Sequence, residues 1–343
     1  MNRAPTEAEM EPVRAVAPGA VLALLADGAE HSGSALATRL AVTRAAIWKQ
    51  IEALRAHGLD IAAEAGRGYR LAAPFEPLDA SKILDATDAD RRDAVGAIDV
   101  RWQIDSTSSE LARRLADAPA ACIAEIQSAG RGRRGRAWRM PLGGGVALSS
   151  LRRFDVGMAA LSGLSLVAGL AAIRAMQDIG VGGVALKWPN DLVVDGKKLG
   201  GVLVELGGDA LGPCHAIVGI GLNVRIGKAG EAIDQPWTDL AALANERMPS
   251  RNVLAGRLLS RLAETLDKFV VDGFAAFERD YAQHDALRDS EIVVADASGS
   301  WAGIARGVGA RGALRVERDD TMREIDSGEV SVRRRDAKTR CAS

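Results

Sequence analysis

The chain has 343 residues, 48% of them hydrophobic, and its 44 Lys+Arg nearly balance 45 Asp+Glu for a formal net charge of -1. That length holds two or three domains with real cores, and the balance excludes recruitment of nucleic acid or membrane by a global field, so any such binding is local. Three scattered cysteines (Cys122, Cys214, Cys341) and four dispersed histidines form no metal-ligand spacing, disulfide framework or nucleophile elbow, which argues against zinc and covalent hydrolase chemistry and fits a reducing cytoplasm.

Residues 1–18 carry acidic side chains and three prolines with no apolar run, so they read as an extension and not a signal peptide. Ala20–Leu25 reads as a first helix, and Ser32 caps a short second one reaching Leu40. Thr43 caps a third helix, Arg44–His57, where Ile47, Ile51 and Leu54 make one apolar stripe and Arg44, Lys49 and Arg55 face the other way. Gly58 stops it. Asp60–Leu71 then reads as a hairpin with Arg67 at a glycine-rich tip. This is the layout of a winged helix-turn-helix, whose third helix enters the major groove while the wing touches phosphates. A helical interaction module with a solvated basic face fits the same pattern, and Trp48 either reaches DNA or packs on a neighbouring helix. Pro74 and Pro77 make 72–78 an extended joint.

Beyond the joint, strands are expected at Val100–Ile104, Ala121–Gln127, Val146–Ser150, Val184–Lys187, Leu192–Val194, Gly201–Leu206 and Ala216–Val224, with a hairpin turn at Asp195-Gly196. Helices are expected at 107–117, 159–178 and 251–284, giving a mixed sheet backed by helices. Residues 156–173 carry no charge, but alanine and glycine dominate them and no aromatic belt flanks them, so they read as a buried helix and not a membrane span. From Ser290 short alternating strands punctuated by glycine indicate a small all-β barrel or sandwich. A basic tail follows Arg333.

Gly130-Arg131-Gly132-Arg133-Arg134-Gly135-Arg136 places four fixed positive charges on a backbone with little steric restraint, suited to wrap a phosphate or carboxylate. It fits G-x-G-x-x-G, but Pro141 and three glycines stand where a dinucleotide-binding helix would begin, so a nicotinamide site is not expected. Asp105-Ser106-Thr107-Ser108-Ser109 offers more hydroxyls than a helix cap needs. Gln127 precedes the arginine loop with an amide that donates and accepts. In Lys187-Trp188-Pro189-Asn190-Asp191 a lysine and an aspartate flank a rigid turn; Asp191 suits Mg²⁺, an amine or a simple salt bridge. Glycines in 200–201 and 219–221 let a ligand lie against strand backbone, or simply allow close packing. Together these residues describe a site for a nucleotide phosphate and a compact carboxylic acid, with no covalent nucleophile.

The blocks Asp105-Ser106-Thr107, Gln127 through Arg136, Lys187 through Asp191, Lys198 through Glu205 and Gly221-Leu222-Asn223, in this order from about His31 to Arg333, resemble the bacterial biotin protein ligases of the bifunctional type. The resemblance implies an α+β chain with an N-terminal winged helix-turn-helix, a central class II synthetase-like mixed sheet with helices, and a C-terminal SH3-like β-barrel. It implies boundaries of 1–18 (extension), 19–72 (DNA-binding), 78–287 (ligase), 288–335 (SH3-like) and 336–343 (tail). The implied reaction joins biotin to ATP, with Mg²⁺, as biotinyl-5'-AMP, then passes biotin to a lysine of the biotin carboxyl carrier protein of acetyl-CoA carboxylase.

On the same basis Arg131, Arg133 and Lys187 are catalytic. Ser106, Thr107, Ser108, Gln127, Arg131, Gly132, Arg133, Lys187 and Gly201 bind biotin or its adenylate. Arg136, Asn190, Gly219, Gly221, Asn223 and Trp237 bind the nucleotide, Asp191 is the metal candidate, and Thr43, Arg44, Lys49 and Arg67 contact operator DNA. Ser108 departs from the asparagine common in the family. The family further implies a cytoplasmic repressor that dimerises when adenylate-bound and has no membrane partner. A lipoate-type ligase and a biotin-sensing transcription factor without ligase activity are the alternatives.

Overall fold

The structure, a computed structural model, describes residues 18–64, 66–233, 235–243, 249–296, 299–328 and 330–334, so most of the 1–18 extension and the 336–343 tail lie outside the described residues. The chain divides into two compact units, residues 1–77 with 141–143, and residues 78–140 with 144–343.

In the first unit, α1 (Pro18–Leu25), α2 (Gly33–Arg39) and α3 (Arg44–Ala56) precede a hairpin of β1 (Ile61–Glu64) and β2 (Gly68–Leu71). The caps are those the sequence indicates: Ser32 Oγ accepts from the Ala35 N–H and Thr43 Oγ1 from the Ala46 N–H, each at 3.1 Å. Gly58, at φ 91°, ends α3 in the left-handed region. Val21, Leu22, Leu25, Leu36, Ile47, Ile51, Leu54, Ile61 and Leu71 are buried together as this unit's core. Trp48 is 55% exposed, which removes the packing alternative for its side chain.

The second unit begins with a segment for which the sequence indicated no structure. Asp79 Oδ1 accepts the Ser81 and Lys82 N–H groups and caps α4 (Ala80–Ala86), and α5 (Arg92–Val95) follows. Then come β3 (Ala97–Ile104), α6 (Thr107–Arg113), β4 (Ala120–Gln127), β5 (Gly145–Phe154), α7 (Leu164–Asp178), β6 (Ala185–Lys187), β7 (Asp191–Val194), β8 (Lys197–Gly208), β9 (Cys214–Asn223), α8 (Leu240–Leu243), α9 (Arg251–Asp272) and α10 (Glu278–His284). The strands form one sheet in the order β3-β4-β5-β9-β8-β7-β6, parallel only between β3 and β4. One face packs on α7 and α9 through Ile123, Val146, Leu148, Val202, Val218, Ile220 and Leu222. Helix α7 is almost wholly buried, and no helix among the described residues is long and apolar enough to cross a membrane.

Three expected helices are corrected. Gly273, at φ 66°, breaks 251–284 after Asp272, and the chain turns back so that Phe274 and Phe277 reach the core beside Tyr281 and Phe269. Gly163, at φ 85°, likewise divides 159–178 into a 3₁₀ turn at Met158–Leu161 and α7. Helix α6 ends at Arg113, where Arg114 leaves helical geometry and a 3₁₀ turn, Leu115–Asp117, follows.

Beneath the sheet, Glu125 and Arg251 form a buried ion pair at 2.7 Å, their side chains 4% and 5% exposed. Glu125 also accepts the Leu78 N–H at 2.7 Å, which fixes where the chain enters this unit.

The C-terminal strands β10 (Glu291–Asp296), β11 (Gly299–Val308), β12 (Leu314–Arg318), β13 (Thr321–Ile325) and β14 (Ser331–Arg334) form an antiparallel sheet ordered β13-β12-β11-β10-β14. Ile292, Val294, Ala305, Leu314, Val316 and Val332 are among its buried residues.

Candidate active site

Residues paired across antiparallel strands point to the same face, so the register shows what the second face of the sheet presents. Lys187 stands opposite Asp191, Asp191 opposite Gly201, Gly201 opposite Gly221, Gly221 opposite Ala147, and Ala147 opposite Ala124. Two residues along, the next row is Leu203, Gly219, Ser149 and Cys122. The middle of this face is therefore a trough with bare backbone at Gly201, Gly221 and Gly219, charged at one end and bounded at the other by hydroxyls and α6. Gly219 and Gly221 lie inside β9, within the strand expected over Ala216–Val224.

At the hydroxyl end Ser106 is buried and its Oγ caps α6. Thr107 donates its backbone N–H to Gln127 Oε1 at 2.8 Å, and its Oγ1 lies 3.2 Å from the same oxygen. Thr107 Oγ1 is also 2.7 Å from Ser149 Oγ, which is 2.9 Å from Ser108 Oγ. A side chain at Gly219 would put its Cβ 3.0 Å from Ser108 Oγ.

At the charged end Lys187 is half-buried, and its ammonium has no hydrogen-bond or ion-pair partner among the described residues. Burial holds its pKa below the ordinary lysine value, although Asp191 pulls the other way. Asp191 is engaged by Lys198 Nζ at 2.6 Å. No group of three or more His, Cys, Asp or Glu side chains that could hold a metal ion occurs among the described residues. Asp191 thus lacks the companions of an all-protein metal site among the described residues; a Mg²⁺ at this carboxylate would draw its remaining oxygens from ligand phosphates.

The arginine loop reaches β8 and the turn before β7. Arg131 Nη2 bonds Glu205 Oε2 at 2.7 Å, two residues beyond Leu203 on the same face. Arg133 reaches Asn190 Oδ1 at 3.4 Å and, through its other nitrogen, the carbonyls of Ser327 and Gly328, the latter at 2.9 Å. Burial lowers the pKa of this guanidinium, only partly offset by Asp191. The loop is pinched at its base, where the Trp138 N–H donates to the Gly130 carbonyl at 2.8 Å, and Gly132 donates to the Arg136 carbonyl at 2.7 Å. The Trp138 ring lies against Gly221: a Cβ there would stand 2.5 Å from it. Its indole Nε1 is buried with no hydrogen-bond partner among the described residues.

Of the remaining residues singled out from sequence, Gly201 borders Asn190 and Asp191. The Asn190 side chain donates to the Val202 carbonyl at 2.7 Å and that of Asn223 to the Thr238 carbonyl at 3.1 Å, so both amides are spent on positioning the backbone. Asn223 thereby holds the segment carrying Trp237, which bridges to Lys198 beside the charged end. Arg136 is exposed. Sequence reasoning passed over Ser149, Glu205 and Trp138 as site residues. The signal for Ser149 was a serine in an otherwise apolar strand; for Glu205 and Trp138 only the folded loop brings them in.

In the first unit Arg44 and Lys49 are exposed on α3. Thr43 Oγ1 serves as the helix cap. Arg67 at the hairpin tip is ion-paired with Glu30 and Glu64, each at 2.9 Å.

Comparison with known proteins gives three family matches: the biotin/lipoate A/B protein ligase family over residues 97–223, an HTH domain over 20–70 and the biotin protein ligase C-terminal domain over 290–333. The chain is 36% identical to the bifunctional ligase/repressor BirA of Salmonella typhimurium over 92% of its own length and 97% of that protein. It is 32% identical to the biotin–[acetyl-CoA-carboxylase] ligase of Mycobacterium tuberculosis, covering 68% of this chain and 88% of that one. Among solved structures, biotin protein ligase from Aquifex aeolicus in complex with biotin and ATP superposes with a TM-score of 0.62 at 30% identity, over 70% of this chain and 99% of that one.

Proposed function

The chain belongs to the biotin protein ligases of the bifunctional ligase/repressor type, and from that membership we propose how its own residues carry the reaction. It activates biotin with ATP as biotinyl-5'-AMP and transfers the biotinyl group to a lysine of a biotin carrier protein, the carrier of acetyl-CoA carboxylase being the proposed acceptor. The observation that carries the assignment of roles is the Lys187 ammonium, without a hydrogen-bond or ion-pair partner among the described residues, at one end of a glycine-floored trough bordered by Arg131 and Arg133. A partly desolvated cation whose neighbouring carboxylate, Asp191, is already engaged by Lys198 is costly unless an anion arrives.

Biotin lies along Gly219 with its ring at Thr107, Ser108 and Gln127, and its carboxylate points toward Lys187. A carboxylate oxygen attacks the α-phosphorus of ATP; the new O–P bond forms as the bond to the β-phosphate breaks and pyrophosphate leaves. Lys187 and Arg133 offset the charge growing on the phosphoryl oxygens. Arg131 exchanges Glu205 for the ligand and holds the loop closed over the mixed anhydride, away from water. The adenine side is assigned to Trp138, Gly221 and the Trp237 segment, with Arg136 on the exposed phosphate side. Gly219 is thus reassigned from nucleotide to biotin. In the second step the carrier's amine attacks the acyl carbon, the C–O bond to phosphate breaks, and AMP leaves. Mg²⁺ enters with ATP, and no step is routed through Asp191.

The test is pyrophosphate exchange with biotin and with lipoate, followed by labelling of a purified carrier domain. Exchange with lipoate alone would sink the reading. A Gly219→Val substitution is expected to lower biotin-dependent exchange by at least tenfold, because its branched side chain fills the trough against Ser108 and Ser149; unchanged exchange would remove Gly219 from the floor.

The chain is divided here into a DNA-binding unit (19–72), a ligase unit (78–287) and a C-terminal unit (288–335), consistent with the matched segments. Arg44, Trp48 and Lys49 on the exposed face of α3 are proposed to read operator DNA in the cytoplasm, with the adenylate-bound chain acting as a homodimer. Deleting residues 1–72 is expected to abolish operator binding while ligation persists, measured by mobility shift and carrier labelling.

A further inference from the structure

Resting on the biotin reading above, we propose that Ser149 is a positioning and specificity-determining residue: it fixes the direction of a buried hydroxyl chain that leaves Ser108 an obligate acceptor for a ligand N–H. The direction follows from counting protons. The Thr107 backbone N–H can only donate, so the Gln127 atom it meets at 2.8 Å is the carbonyl oxygen, and the orientation of that amide is settled. An oxygen carrying no hydrogen can only accept, so the contact from Thr107 Oγ1 to Gln127 Oε1 uses the threonine proton.

The Thr107–Ser149 contact at 2.7 Å then requires the Ser149 proton, and the Ser149–Ser108 contact at 2.9 Å requires that of Ser108. Three hydroxyl protons satisfy three contacts. The reverse direction would leave two oxygens facing each other without a proton and a donor stranded on Ser108, which is buried. The chain therefore runs from Ser108 through Ser149 and Thr107 to Gln127.

Both ends of the chain are specified. Ser108 Oγ keeps its lone pairs over the bare backbone of Gly219, and the Gln127 Nε2 donors have no hydrogen-bond partner among the described residues. An acceptor beside a pair of donors complements a cyclic urea, which offers N–H groups flanking a carbonyl. A dithiolane ring offers neither. Ser149, fully buried and one link from each neighbour, determines which way the protons point.

The experiment uses the full chain and compares biotin with its two cyclic carbamate analogues, in which a ring oxygen replaces one or other urea N–H. In pyrophosphate exchange the wild type is expected to disfavour one analogue by roughly 10- to 100-fold in kcat/KM, the cost of a buried acceptor left without its donor. In Ser149→Ala and in Ser108→Ala that discrimination collapses to within about threefold, while the KM for ATP stays near wild type. A purely structural serine would lower activity toward all three acids equally and leave the ratio alone.

Retention of the wild-type ratio in both variants, or a wild type that uses biotin and both analogues alike, would overturn the proposal. If Ser149→Ala does not fold, Ser108→Ala at the other link decides by the same ratio. A wild type inactive with biotin itself would sink the ligase reading instead.

Discussion

Lys187→Ala is expected to lower biotin-dependent pyrophosphate exchange by about two to three orders of magnitude, the usual cost of removing one donor aimed at developing charge. The loss should fall on kcat more than on KM, because the ammonium acts on charge that grows at phosphorus. The ligand-free variant should melt no lower than the wild type, since removal of a half-buried ammonium without a partner among the described residues relieves desolvation. A catalytic loss accompanied by an equal fall in stability would mean that Lys187 is structural.

The pH dependence has a definite sign. Burial depresses the Lys187 pKa, so the folded chain releases this proton at a lower pH than the unfolded chain does. Between those two values the unfolded state binds more protons, and this residue's contribution to stability rises with pH. Adenylation runs the opposite way: it declines as pH climbs through the depressed pKa and the cation is lost. Exchange rates and melting temperatures measured across the alkaline range should therefore diverge in the wild type and not in Lys187→Ala.

The second large effect is on stability. Glu125→Ala is expected to cost about 3–5 kcal/mol, because it removes the carboxylate that neutralises the Arg251 guanidinium in a site where both side chains are almost wholly buried. The cut also frees the Leu78 N–H from its acceptor. A lowered denaturant midpoint followed by tryptophan fluorescence checks the value. Glu125→Leu combined with Arg251→Met should recover much of the loss, since a buried pair adds little over well-packed apolar groups. A midpoint unmoved by Glu125→Ala would show that the pair is solvated.

The loop that dominates the sequence shows how far pattern reading goes. Four arginines among glycines mark an anion-binding segment wherever they occur, because charge and backbone freedom are local properties. Arg131 and Arg133 reach Glu205 and Asn190 beside the trough, while Arg136 stays on the surface. Glu205, the partner of Arg131, is 74 residues away in the chain. No periodicity pairs those two positions. Gly273 and Gly163 show the same of boundaries: each carries a positive φ that interrupts a helix the apolar pattern would have continued.

The amino-acid sequence by itself determined the order of elements, the capped helices of the first unit, the identity of the family and the segments rich in charge and hydroxyls. These depend on residues within a few positions of one another, where spacing translates directly into geometry. Only the tertiary structure decided that Gly201, Gly221 and Gly219 form one floor, that Lys187 has no partner among the described residues, and that Ser149 links Thr107 to Ser108. Strand pairing across four chain segments sets those relations, and pairing register is a long-range choice made by burial, not by the local code.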